Sequence, residues 1–456
     1  MSFRAAAIIL ALLACPVLAT AEPSRFAATG RADRIVLTPG ADPSTDMAVA
    51  YRTRPGMTVS QAQLAPALDG AALEAKARVV VGKAHPIDNE NGPALYHQIR
   101  FTGLAPDAPY AYRVREADGW SPWLQFRTAA KGFRPFSFIY LGDTQNDILS
   151  GGARTIRQAF HAVAQPALML HAGDLVAQGK VKVHDDEWGE WTEAGGYNFA
   201  MVPQLPAPGN HEYVSTPDGP RLGPHWSAQF SLPDNGAPSV RATTYFVDYQ
   251  GVRFVVLDGT AALELGALDA QTRWLDQVLA ANGRRWTVVI FHQPIFTCGR
   301  PNDTERLKAA WTPIFERRGV DLILQGHDHC YSRLSNPDGR AASLAARTAG
   351  GAQGPVYVVS VAGPKTYRLN DRADWQPDRV AADTQLYQVI SVEADRLAFK
   401  AFTAAGRLYD GFSLVRDGKG RKRMVERRGL PPTRLCKGEI GPDGSPCAGR
   451  DVSKAR

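Results

Sequence analysis

Phe136-Ser137-Phe138-Ile139-Tyr140-Leu141-Gly142-Asp143 is an almost unbroken apolar run that stops on a glycine and a carboxylate. Continuous rather than alternating hydrophobicity marks a strand buried on both faces, the kind found in parallel sheets covered by helices. The pattern recurs downstream. Ala167-Leu168-Met169-Leu170 leads to Gly173-Asp174, Trp286-Thr287-Val288-Val289-Ile290-Phe291 to His292, and Leu322-Ile323-Leu324 to Gly326-His327. Trp274, Leu275, Val278 and Leu279 fall at helical spacing, with Asp269 near the helix start as a cap. Tyr245-Phe246-Val247 and Phe254-Val255-Val256-Leu257 flank Gly251 and predict a hairpin. Strands and helices in alternation predict an α/β domain over residues 131–415, whose sheets are completed by runs at Val356, Tyr387 and Leu397.

Upstream the texture differs. Residues 22–130 carry short β-type runs (Arg34 to Leu37, Met47 to Tyr51, Arg78 to Val81, Tyr110 to Val114) separated by Pro/Gly/Asp turns, with almost no helical periodicity. That pattern predicts an all-β antiparallel sandwich. Further upstream, Arg4, the apolar stretch Ala5 to Ala14 and Ala19-Thr20-Ala21 read as a secretory signal over residues 1–21. A periplasmic or secreted protein is expected. The stretch is too short to span a bilayer and no later one is long enough, so no transmembrane segment is expected. Leu12-Leu13-Ala14-Cys15 suggests a lipoprotein instead, although Leu13 and Pro16 fit that processing site poorly.

Four cysteines follow the expected cleavage point: Cys298, Cys330, Cys436 and Cys447. An even number in an oxidising compartment permits two disulfides in three connectivities. Cys436 and Cys447 are favoured as a pair, because they lie close together in a Pro/Gly-rich stretch with little core of its own. Cys298 and Cys330 each follow a strand-end motif and can meet in space.

At 456 residues, 44% apolar and 21% charged, the chain has room for two or three folded units and a substantial core. Its 42 glycines and 32 prolines are too few for a collagen-like or low-complexity chain. The net charge of +7 has one location, since twelve Lys/Arg face five Asp/Glu from Gly411 onward and the rest is balanced. That distribution argues against a broad nucleic-acid-binding face, and no specific nucleic acid partner is expected. Residues 416–456 read as a basic C-terminal tail, with Arg421-Lys422-Arg423 and Arg427-Arg428 solvated or attached to an anionic surface.

Five motifs end strands or strand-like runs, and each offers a metal ligand: Gly142-Asp143, Gly173-Asp174, Gly209-Asn210-His211-Glu212, His292-Gln293-Pro294 and Gly326-His327-Asp328-His329. Singly they are weak, for Gly-Asp turns are common and a lone histidine is usually a core residue. As an ordered set they take four of the ten histidines. Carboxylates, an amide and imidazoles suit Zn, Fe or Mn, whereas a thiolate-rich set would indicate a structural zinc site.

These ordered motifs resemble those of the calcineurin-like metallophosphoesterase superfamily. His97-Gln98-Ile99-Arg100-Phe101, Gly103-Leu104-Ala105-Pro106, Tyr110-Ala111-Tyr112 and Phe126-Arg127-Thr128 resemble the fibronectin type III-like module that precedes the catalytic domain in purple acid phosphatases. The resemblance implies a two-sheet αββα sandwich, preceded by the all-β module, with two divalent or mixed-valence ions at one sheet edge. By position it makes Asp174 the bridging carboxylate, gives Asp143 and His329 to the first ion, and gives Asn210, His292 and His327 to the second. His211 stays off the metals as the catalytic acid.

Two departures stand out. Asp143-Thr144-Gln145 has glutamine where many superfamily members have histidine, and Asp174-Leu175-Val176-Ala177 has alanine where purple acid phosphatases have tyrosine. A ferric-tyrosinate site is therefore not expected. Gln145 is left as an amide-oxygen ligand, an orienter of water or a bystander. His225, beside Trp226, is the candidate substrate contact. Trp188, Trp191 and Tyr197 are either a pocket wall or packing. The expected activity is hydrolysis of small-molecule phosphomonoesters, acid phosphatase-like, by a metal-bridging hydroxide. A phosphodiesterase or nucleotidase with the same site, and a non-catalytic binding or adhesion protein on this scaffold, are the alternatives. Oligomeric state is not encoded.

Overall fold

The structure is a computed structural model and describes residues 24–177, 185–335 and 354–449. The expected signal sequence at 1–21, with Cys15, lies outside the described residues. The N-terminal part is a sandwich of two antiparallel sheets. One is formed by strands Asp33–Pro39, Met47–Thr53, Ala94–Phe101 and Lys83–Ile87. The other is built on Gln61–Pro66 and Pro109–Glu116, with Arg78–Val81 at one edge. Val49, Tyr51, Ile99 and Phe101 of the first sheet meet Leu64, Tyr112, Val114 and Phe126 of the second in a single core.

Two seven-stranded sheets form the second domain. The first contains parallel strands Gln204–Ala207, Leu168–Ala172 and Phe136–Leu141, then an antiparallel meander from Leu386–Val392 through Lys422–Glu426. The second contains Val252–Val256, Trp286–Ile290, Leu322–Gln325 and Val356–Val359 as parallel neighbours, with Tyr245–Tyr249 paired antiparallel to form the expected hairpin. Gly251 makes that turn at φ +92°. Strand periodicity assigns the layers. Phe138, Tyr140, Leu168 and Leu170 face Val288, Ile290, Leu322 and Leu324 in a core between the sheets. Their neighbours point outward: Ile139 and Met169 pack with helices Ala153–Ala162 and Asp185–Gly195, and Val289 and Ile323 with helices Leu268–Ala280 and Glu305–Arg317. Helices thus cover both outer faces, which is why these strands carry no polar face. Asp269 lies in the first turn of its helix rather than at the cap.

The C-terminal stretch differs from a loose basic tail. Strand Leu408–Arg416 continues through the expected boundary at 415, and Lys422–Glu426 pairs with it as the sheet edge. Alternation along that strand turns Lys422 inward, where its ammonium meets Asp321 at 3.0 Å, and leaves Arg421 and Arg423 exposed. Cys436–Cys447 and Cys298–Cys330 are both disulfides. Among the described residues no helix is long and apolar enough to cross a membrane.

The sandwich is docked on the second domain through a buried ionic cluster. Asp185 accepts bonds from Arg34 at 2.6 Å, Arg52 at 3.0 Å, Asn91 at 2.9 Å and His225 at 2.9 Å.

Candidate metal centre

Parallel strands present their carboxyl ends at one edge, and loops leaving that edge gather residues from distant sequence. Asp143, Asp174, Asn210, His292 and His327 each lie two or three residues beyond such a strand. The turns are tight. Asp143, Asp174, His327 and His329 have φ of 39°, 49°, 72° and 45°, a left-handed conformation costing a non-glycine residue about 1–3 kcal/mol. Four such residues converging on one point mark a site where geometry outweighs backbone comfort. Backbone approach is equally close: a Cβ on Gly209 would lie 2.2 Å from Asp174 Oδ1, so only glycine fits.

The ligand atoms fall into two groups. Asp143, Asp174 and His329 offer atoms within 4.8 Å of one another, and so do Asp174, His292 and His327. Asp174 belongs to both. Asn210 joins the second group, with Oδ1 3.2 Å from His292 Nε2, while His327 Nδ1 lies 3.0 Å from that same nitrogen. Tautomers are set from behind. His292 Nδ1 donates to the Ala172 carbonyl at 2.7 Å, and His329 Nδ1 to the Lys365 carbonyl at 3.0 Å, so in each ring Nε2 is the nitrogen turned to the centre.

Charge on these groups follows from burial and crowding. Burial, and then the charge of Asp174, push Asp143 well above the usual carboxylate range, despite His292 nearby. Burial opposes ionisation of Asp174 too, but His292 and His211 overcome it and hold that carboxyl low. His292 is pushed up to about 9, since Asp174 and Asp143 outweigh its burial. His327 and His329 are held neutral by burial, His329 down to about 3. The residues fit a pair of cations. Asp143 Oδ1 and Gln145 Oε1 are buried acceptors with no hydrogen-bond partner, and both border the cluster. A buried orphan acceptor costs about 1–3 kcal/mol unless something positive faces it.

Gln145 is fully buried, and its Nε2 donates to Asp174 Oδ2 at 2.9 Å and lies 3.0 Å from His329 Nε2. His211 donates its backbone N–H to Asp174 Oδ1 at 3.0 Å, but its ring Nε2 stays 3.9 Å from the carboxylate and its side chain is 27% exposed. It is a histidine at the rim. His225 is not brought to the centre. It is 1% exposed, stacks on Trp188 and bonds to Asp185, so it presents no surface to a substrate. Trp188 and Trp191 are core packing, whereas Tyr197 is exposed.

Two functional residues had been read only as parts of motifs. Glu212 is buried and accepts N–H bonds from Gly209 at 2.6 Å, Asp174 at 2.9 Å and Leu175 at 2.8 Å, clamping the loop that carries Asp174. Asp328 does the same for Cys298 at 2.6 Å and Gly299 at 2.8 Å, and is paired with Arg300. A buried carboxylate beside a ligand in Asn-His-Glu and His-Asp-His was the available signal.

The site is thus a two-sheet α/β sandwich with one aspartate shared by two ligand groups at its parallel-strand edge. The chain carries a calcineurin-like phosphoesterase domain, matched over residues 136–331, behind a purple acid phosphatase N-terminal domain, matched over residues 32–128. It is 28% identical over 332 residues to an uncharacterized protein of Mycobacterium tuberculosis, covering 64% of this chain and 60% of that protein. It is 25% identical over 291 residues to purple acid phosphatase 15 of Arabidopsis thaliana, covering 56% of this chain and 53% of the relative. The chain thus spans between half and two thirds of the length of these relatives. The solved structure of PhoD shares the fold, with a TM-score of 0.60 at 14% identity over 90% of this chain and 95% of that one.

Proposed function

We propose that the protein is an exported, binuclear metal-dependent phosphoesterase that hydrolyses small-molecule phosphomonoesters in the manner of an acid phosphatase. One observation carries the reading: Asp174 belongs to both ligand groups, so one carboxylate can bridge two ions. Asp143 and His329 would hold the first ion, with Gln145 beside it, and Asn210, His292 and His327 the second. Zn, Fe or Mn ions there would supply Lewis-acid polarisation of a phosphoryl oxygen and activation of water.

The chain's own residues do the rest. Glu212 fixes the loop that presents Asp174, and the Ala172 and Lys365 carbonyls aim two imidazoles. His211, tethered through its backbone and free at its ring, is positioned to give a proton to the leaving oxygen, a role worth about 10²–10⁴ in rate. Ala177 offers no phenolate, which favours a divalent first ion. The reading of residues 1–21 as a signal sequence supports export to the periplasm or medium.

The test is reconstitution with Zn, Mn or Fe, followed by turnover of a chromogenic phosphomonoester and phosphodiester. Monoester hydrolysis lost on His211→Ala is the expected result. Diester turnover alone would make the protein a phosphodiesterase, and no hydrolysis with any metal would leave a binding protein on this scaffold.

A further inference from the structure

The segment following strand Val356–Val359 is strung across both loops that serve the first ion. Ala362 N–H donates to the Gly142 carbonyl at 2.7 Å, Gly363 N–H to that of Asp143 at 2.7 Å, and Tyr367 N–H to that of His329 at 2.9 Å. Two side chains of this segment cluster beside His329. The Tyr367 ring packs against the His329 imidazole with centroids 4.7 Å apart. Lys365 Nζ stands 5.6 Å from the centroid of the same ring.

A second cation, Arg300, also approaches that ring at 5.6 Å, but it is bonded to Asp328 and its charge is matched. Lys365 is different. It is half-buried, and among the described residues no carboxylate lies within ion-pair distance of its ammonium. A lysine ammonium that no carboxylate of the protein claims is available to an anion.

The chemistry of the ligand set says which anion. Asn210, His292, His327 and His329 bring no charge to a loaded centre, so Asp143 and Asp174 alone offset two divalent ions. The centre keeps a positive surplus before Lys365 is counted. A phosphomonoester dianion has three non-bridging oxygens, enough for both ions and for a further cation. In a diester that third position carries an ester substituent, which offers no charged acceptor.

We propose that Lys365, seated on Tyr367 beside His329, binds a non-bridging phosphoryl oxygen and sets the preference of the site for phosphomonoesters over phosphodiesters. This rests on the phosphoesterase reading above and deepens it to a specificity-determining residue.

Lys365→Gln alters the side chain and keeps the carbonyl that orients His329. Titration calorimetry of inorganic phosphate into the metal-loaded protein reads the contact without turnover. A lost charge-assisted bond should weaken phosphate about ten- to a hundred-fold. kcat/KM for a chromogenic monoester should fall by a similar factor and that for a diester much less, with Lys365→Arg recovering part of the loss at unchanged metal content. Unchanged phosphate affinity, an equal fall for both esters, or loss of metal from Lys365→Gln would each overturn the assignment. If the unaltered protein hydrolyses neither ester while Lys365→Gln still weakens phosphate binding, the anion site stands and the phosphoesterase reading falls.

Discussion

Replacing Glu212 by glutamine changes one atom in the clamp behind the Asp174 carboxylate. Its Oε2 accepts from Gly209 N–H at 2.6 Å and Asp174 N–H at 2.9 Å, and Oε1 from Leu175 N–H at 2.8 Å. Glutamine has a single acceptor. If that oxygen keeps Gly209 and Asp174, the amide nitrogen faces Leu175 N–H, donor against donor. Leu175 has no exposed surface, so water cannot take over. One buried donor left unmet costs about 1–3 kcal/mol, and each surviving bond falls from charge-assisted to neutral, roughly another 1 kcal/mol. Part of that charge advantage is already missing in metal-free protein at neutral pH, because burial and the neighbouring Asp174 charge push Glu212 up to about 7. We therefore expect Glu212→Gln to lose about 2–3 kcal/mol in urea unfolding of the metal-free protein. Metal affinity, read by competition with a chelator, should weaken because the loop bearing Asp174 is released. Activity should recover at saturating metal. A variant within about 0.5 kcal/mol of the parent, with undiminished metal affinity, would refute the clamp.

Asp185→Asn should cost about 3–5 kcal/mol by leaving Arg34 buried without its counter-charge, and His225→Ala should destabilise with KM unchanged. A raised KM with stability intact would return His225 to the substrate site. In metal-free protein the His292 pKa is raised from 6.5 to about 9, so its stabilising contribution is complete below about 6.5 and lost as pH rises through 9. Cations need the neutral ring, so metal affinity should climb with pH across that window and then flatten; a pH-independent affinity would contradict this. Cys298–Cys330 joins the loop after His292 to the residue following His329, so Cys298→Ser with Cys330→Ser should weaken metal retention, whereas removing Cys436–Cys447 should not. Iron-loaded protein should lack a tyrosinate charge-transfer band, because position 177 is alanine; a visible band would require another phenolate ligand.

Much of the centre was legible because strand and ligand are adjacent in sequence. An apolar run from Phe136 to Leu141 ending on a glycine reads as a doubly covered strand, and that reading puts Asp143 at the sheet edge. The same reading reached Asp174, His292, His327 and His329, and the structure gathers them. His225 was misjudged for the opposite reason. A histidine beside a tryptophan in a short helix carries no mark of its partner, and Asp185 is 40 residues away. Lys422 failed similarly, since a run of basic residues looks solvated until the strand it belongs to turns one of them toward Asp321.

What the sequence by itself determined was local: the strands, the turn glycines, the order of ligand types and the missing tyrosine at position 177. Backbone sterics and hydrophobic period act between near neighbours, so these are written in short stretches. Tertiary structure decided that Asp174 is shared by two ligand groups, that Glu212 and Asp328 clamp loops, and that the Lys365 ammonium stands by the Tyr367 ring beside His329. Each depends on groups brought together by sheet packing from positions far apart, and the charge a site leaves unmatched exists only once all its neighbours are in place.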